Sequence, residues 1–172
     1  MLGIFQHLYN AMEKLLSRLD TNLKIEEWPT ALNFQRSAYW ASFNGNEVKV
    51  LLTNVDTFRR ILKRDRKVFE LDIIKEFLVA FEIFNEIREA CFGMYLNEDR
   101  YVSLIHDFAY HFTCIENYFK DVDGINITVF LKLHILYVHV PQFLETQNTA
   151  KLENDPNWIA KGLGWWVSVY KS

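Results

Sequence analysis

The stretch VFELDIIKEFLVAFEIFNEIREACF, residues 68–92, contains neither Gly nor Pro and decides the fold class. Ile74, Phe77, Phe81, Phe84 and Arg88 recur at steps of three and four, the spacing of one helical stripe. Leu71, Leu78, Ile83, Ile87, Ala90 and Cys91 form a second stripe, too wide for a single buried face. Glu70, Asp72, Glu76, Glu82, Glu86 and Glu89 occupy the remaining, solvated side. A helix apolar over so much of its circumference must be covered by neighbours on more than one side. The expectation is an all-α fold: one domain over residues 1–172, with five to seven helices packed around 68–92.

The flanking segments support that reading. Phe5, Leu8, Met12, Leu15, Leu16 and Leu19 give residues 1–20 an amphipathic helix, stopped by Asp20-Thr21-Asn22. Trp28 precedes Pro29 and is expected to be extended, with a helix starting at Pro29 or Thr30. Asn44 and Glu47 stand at capping-box spacing. The helix they open has its apolar face at Val48, Leu51, Leu52, Val55, Phe58 and Leu62, and Asn54 and Asp56 are placed to split it. Gly93 suits the end of the central helix. Asn97 or Asp99 then caps a helix striped by Val102, Ile105, Phe108, Ala109, Phe112, Ile115 and Phe119, and Asp123-Gly124 is a turn. ITVFLKLHILYVHV (127–140) favours helix, and Pro141 kinks or restarts it. Residues 158–172 form a Trp-rich tail that must dock or bind something.

Composition narrows the function classes. Half of the 172 residues are hydrophobic and 16% aromatic, which excludes a disordered chain. A net charge of −3 argues against a protein that coats nucleic acid generally. No apolar run is long enough to span a membrane and no signal-peptide pattern opens the chain, so an intracellular protein, nuclear or cytoplasmic, is expected. Cys91 and Cys114 both lie in apolar helical patterns and read as reduced, buried thiols.

Candidate chemistry is sparse. His106 and His111, like His134 and His139, are five residues apart, which sets their rings about 140° apart on a helix. Cys91 and Cys114 are 23 residues apart and supply no C-x-x-C half of a zinc site. Histidines at the core edge, hydrogen-bonded to backbone, are the expectation, with no metal and no cofactor. DVDGIN (121–126) misplaces its Gly for a calcium loop and has Lys132 where the bidentate Glu belongs. Gly-rich phosphate loop, nucleophile elbow and H-E-x-x-H are absent from the sequence. No catalytic residues are assigned, and a non-enzyme is expected.

Two candidate interaction sites remain. Trp158, Trp165 and Trp166 belong to the residue type most enriched at protein-binding hot spots. Their rival role is burial in the monomer. RRILKRDRK (59–67) sets Arg59, Arg60, Lys63, Arg64, Arg66 and Lys67 against Asp65 alone, a local charge of +5. Six such cations could clamp phosphates. The acidic helix next door could instead pair with part of them.

FNGNEVKVLLTNVD (43–56), FNEIREACFGMYL (84–96), KLHILYVHVPQFLE (132–145) and GLGWW (162–166) resemble the C-terminal half of transposase-like open reading frames of invertebrate genomes. In that family a K-x-H-x4-H-V segment precedes G-L-G-x-[FW] and then Ser-Glu-Gln. Lys132, His134, His139 and Val140 fit the first pattern, and residues 162–166 the second. The H-x4-H-then-Glu order is similar to the zinc-binding helical region and last catalytic carboxylate of Transib-type transposases and the vertebrate V(D)J recombinase. The resemblance covers about two thirds of the chain, from residue 40 onward. It departs where the chemistry lies. After GLGWW the chain reads Val167-Ser168-Val169-Tyr170-Lys171-Ser172, without the Glu, and no strand-rich segment brings the two upstream Asp residues. Two-metal strand transfer needs all of those carboxylates. The resemblance therefore implies a truncated, repurposed helical piece of a mobile-element protein. The expected function is a non-catalytic protein–protein interaction or adaptor module, with another protein as partner. Nucleic-acid binding through residues 59–67 is the alternative, and a homo-oligomer is compatible with either.

Overall fold

The computed structural model describes residues 2–34, 42–92 and 98–123, together with Gln142 and Glu145. Seven helices are found among them: α1 (Leu2–Arg18), α2 (Glu27–Ala31), α3 (Gly45–Thr53), α4 (Val55–Leu62), α5 (Arg66–Phe69), α6 (Asp72–Phe92) and α7 (Glu98–Asp123). The fold is the expected all-α bundle.

On α6, Ile74, Phe77, Phe81 and Phe84 are all buried, and so are Leu78 and Ile87 of the second stripe. The helix is covered from two sides. Along one side α7 runs antiparallel to it: Phe77 meets Phe119 at 6.2 Å between ring centroids, and Phe84 meets Phe108 at 5.4 Å. On the other, Phe81 touches Phe5 of α1 at 5.7 Å, Trp28 of α2 at 5.3 Å and Phe58 of α4 at 6.3 Å. Arg88 closes the apolar stripe without stranding its charge. Its Nε and Nη2 donate to Asn85 Oδ1 at 3.3 and 3.1 Å.

The central helix begins at Asp72, four residues later than the pattern implies. Asp65 caps a separate turn, α5, by accepting from the Val68 amide at 3.4 Å. In an unbroken helix Val68 would lie about 40° from Asp72. The Asp72 side chain is fully exposed, whereas Val68 is buried. The break at Glu70-Leu71 lets both demands be met.

Trp28 also corrects the sequence reading. The pre-proline preference for extended backbone yields here, because α2 starts at Glu27 and holds Trp28 in its first turn. Pro29 is tolerated there because early helical positions need no intrahelical N–H donor. Tertiary contacts decide the outcome. The fully buried indole stacks on Phe58 at 4.7 Å and 13° between planes, and its N–H donates to the Asn54 carbonyl at 3.1 Å. The helix then ends in a Schellman arrangement. Asn33 takes φ 63°, Phe34 N–H reaches the Pro29 carbonyl at 3.0 Å, and Asn33 N–H reaches that of Thr30 at 3.1 Å.

The capping box forms as its spacing requires. Asn44 Oδ1 accepts from the Glu47 amide at 2.9 Å, and Glu47 Oε1 accepts from the Asn44 amide at 3.1 Å. All six apolar positions of the paired helices α3 and α4 are buried, and the split falls at Asn54. Asn44→Ala is expected to lower stability by about 1 kcal/mol, read as a shifted urea midpoint with an unchanged slope.

α7 begins at Glu98, so Asp99 lies inside the helix rather than capping it. Ile105, Phe108, Phe112, Ile115 and Phe119 are buried, joined by Tyr101 and Leu104, which the stripe did not include. Among the described residues no helix is long and apolar enough to cross a membrane.

Candidate functional site

The basic run spans the end of α4, the turn after it and α5, and much of its charge is met inside the fold. Arg59 bridges Asp56 on its own helix and Glu82 of α6. Arg64 pairs with Glu27 of α2, and Arg66 Nε pairs with Glu70 at 2.7 Å. Arg60 donates to Thr57 Oγ1 at 3.3 Å, and Lys63 Nζ lies 5.5 Å from the centre of the Phe69 ring. The expected pairing with the acidic central segment occurs, through Glu70 and Glu82.

Arg64, Arg66 and Lys67 also form one wall of an open cleft of about 690 Å³. Asp20, Thr21, Asn22 and Leu23, from the loop between α1 and α2, form the facing wall, with Glu27 beside them. Asp65 ties the two walls together. Thr21 Oγ1 donates to its Oδ2 at 2.8 Å, across 44 residues of sequence, and accepts from the Leu23 amide at 3.2 Å. A second depression of about 380 Å³ adjoins the cleft, sharing Thr21 and Leu23 with it. It runs between α1 and the start of α2, past Leu16 and Ile25, to Glu13 and Glu26.

The Thr21 hydroxyl holds the Asp65 carboxyl below its ordinary value of 3.8, helped by the backbone amides of Val68 and Lys67. A carboxylate with a lowered folded-state value contributes stability above its unfolded value and loses it as pH falls through the lowered one. Wild type is therefore expected to be more stable than Asp65→Asn at neutral pH, and the difference should shrink steadily on acidification. Urea midpoints of the two proteins, measured from neutral pH down through the carboxylate range, check this.

Histidine behaviour differs from expectation. His111 Nδ1 is hydrogen-bonded to Glu76 Oε2 on α6 rather than to backbone, clasping α7 to the central helix, and His106 is exposed. Tyr110 packs its ring against that of His111 edge-on at 5.1 Å and is itself largely exposed. Partial burial pushes the Glu116 carboxyl above the usual carboxylate range. Cys114 is a free thiol, half-buried rather than buried. Among the described residues no three His, Cys, Asp or Glu side chains are grouped so as to hold a metal ion.

Trp158, Trp165, Trp166, His134 and His139 lie outside the described residues, as do the helix expected over 127–140 and the tail. The side chain of Cys91 is likewise not described. The cleft was not anticipated from sequence. Thr21 and Asp65 carry no joint pattern: the basic run marks one wall and the stop at Asp20-Thr21-Asn22 the other, but nothing in the sequence brings the two together. No family model, curated protein or solved structure matches this chain.

Proposed function

We propose that the chain is a non-catalytic protein–protein interaction module derived from a mobile-element protein, with another protein as its partner. The observation that carries this reading is the engagement of the basic run within the fold. Arg59 and Arg64 each face a carboxylate of another helix, and a guanidinium paired across the fold must give up that partner before it can neutralise a phosphate. Descent from a mobile-element protein rests on the four resembling segments and on the His134–His139 spacing.

In this reading Trp158, Trp165 and Trp166 are the contact residues. Trp165→Ala and Trp166→Ala should each leave the urea midpoint of the free protein unchanged while abolishing recovery of its partner. Unfolding of the free protein by either substitution would make these side chains core residues instead.

Nucleic-acid binding through Arg59, Arg60, Lys63, Arg64, Arg66 and Lys67 is the second reading, favoured by the local charge of +5. Fluorescence anisotropy against duplex and single-stranded DNA at low salt separates the two. Flat titrations are expected, and saturable binding that weakens steeply with salt would reverse the preference.

A further inference from the structure

We propose that Thr21 is a phosphorylation site, the target of an arginine-directed protein kinase, and that its modification unties the α1–α2 loop from α5. This device is independent of the partner that the chain binds.

Thr21 lies outside the helices, in the loop over 19–26, and is half-buried on the wall of the open cleft. Ser17, Thr30 and Thr53 donate to carbonyls of their own helical turns, so a phosphate on any of them would leave the contacts between elements in place. The Thr21 hydroxyl instead donates to Asp65 Oδ2 at 2.8 Å, across 44 residues, and accepts from the Leu23 amide at 3.2 Å. Arg18 is exposed three residues earlier, at the end of α1. Arg-x-x-Thr is a charge pattern by which one class of kinases chooses its acceptor hydroxyl, and here the acceptor stands just past the last helical turn. Without the bond ladder of a helix, the residues around Thr21 can open locally to meet a kinase. Leu23 and Ile25 stay anchored in the core, which confines the opening to the start of the loop.

Transfer forms a bond from the γ-phosphorus of ATP to Thr21 Oγ1 as the bond to the β,γ-bridging oxygen breaks. The hydroxyl proton passes to the kinase's base, and ADP leaves. The product can no longer donate to Asp65. It also brings a charge of roughly −1.5 to −2 onto an oxygen that stood 2.8 Å from a carboxylate. That carboxylate is held below its ordinary value of 3.8 and is ionised at neutral pH. Asp20 and Glu27 line the same cleft and add to the repulsion. The cations there are already engaged: Arg64 holds Glu27, Arg66 holds Glu70, and Lys67 offsets the charge of Asp65. A hydrogen bond is exchanged for opposed like charges, and the two walls part.

The test treats the full chain, natively folded, with ATP and the catalytic domain of a calcium/calmodulin-dependent kinase, which takes Arg three residues before its target. Mass spectrometry should map a phosphate to Thr21. Arg18→Ala should slow its incorporation roughly tenfold, the size of a lost charge-assisted contact. The purified phosphorylated protein should show a lower urea midpoint at neutral pH than the unmodified one. In Asp65→Asn, where the opposing charge is gone, phosphorylation should lower the midpoint much less. Thr21→Glu should lower it more than Thr21→Val, which reads the repulsion without a kinase. Absence of phosphate from Thr21, or incorporation indifferent to Arg18, overturns the site. Modification with an unchanged midpoint, or with an equal fall in Asp65→Asn, overturns the untying. A raised midpoint would mean that Arg64, Arg66 and Lys67 clamp the phosphate, and overturns it as well.

Discussion

Replacing Trp28 with alanine will lower the stability of the bundle by about 3–5 kcal/mol, the range for removing a buried Trp or Phe. Trp28 is fully buried and touches Phe5, Phe58 and Phe81, which lie on three different helices. No nearby side chain can collapse into the space without leaving another contact. The substitution also removes the donor to the Asn54 carbonyl, at the junction of α3 and α4. That carbonyl is half-buried and keeps the Thr57 amide as a donor at 3.1 Å, so the lost indole bond adds little to the cavity cost. Domains of this size are typically stable by only about 5–15 kcal/mol, so part of the variant population should be unfolded at physiological temperature. Trp28→Phe keeps a ring in the cluster while losing the hydrogen bond, and should fall between wild type and alanine. Urea denaturation of all three proteins checks the order. A loss below about 1 kcal/mol for Trp28→Ala would mean that α2 does not join α1, α4 and α6.

Phe108→Ala is expected to produce a loss of the same size, about 3–5 kcal/mol, with a different spatial signature. Phe108 is fully buried between Phe84 of α6 and Phe112 of its own helix. The cavity would open along the seam between α6 and α7. Hydrogen exchange should accelerate first in α7, while α1 and α3 keep their protection until global unfolding. Equal acceleration throughout would show that α7 and the α1–α4 layer open as one unit.

Local rules made much of this fold legible in advance. The Asn44–Glu47 box, the split at Asn54 and most of the stripes of α1, α6 and α7 depend on neighbours three or four residues away and emerge where their spacing places them, although Leu19, Leu71, Ile83, Ala90, Val102 and Ala109 are only half-buried. Departures occur where distant residues outweigh a local preference. Pro29 biases Trp28 towards extended backbone, yet packing against Phe58 and Phe81 holds it in a helix. Val68 continues the apolar pattern of the central helix, but burying it beside a solvated Asp72 requires the chain to break at Glu70-Leu71.

The site follows the same division. The charge of residues 59–67 is visible by inspection, as is an acidic segment able to meet it. That Arg59 takes Glu82 and Arg64 takes Glu27 depends on contacts 23 and 37 residues apart, which no spacing rule encodes. The walls of the cleft are likewise joined by Thr21 reaching Asp65 across the fold. An abundance of tryptophan drew the sequence reading to the C-terminal tail, whereas among the described residues the tryptophan that organises the bundle is Trp28.

The claim beneath the whole account is that α6 is enclosed by α7 on one side and by α1, α2 and α4 on the other. Native-state hydrogen exchange resolved by residue tests it most directly. The account predicts that amides from Ile74 to Ile87 exchange only through global unfolding, with protection no lower than that of any other helix. Exchange of that segment through local opening, at a lower free energy than α1 or α3, would contradict it.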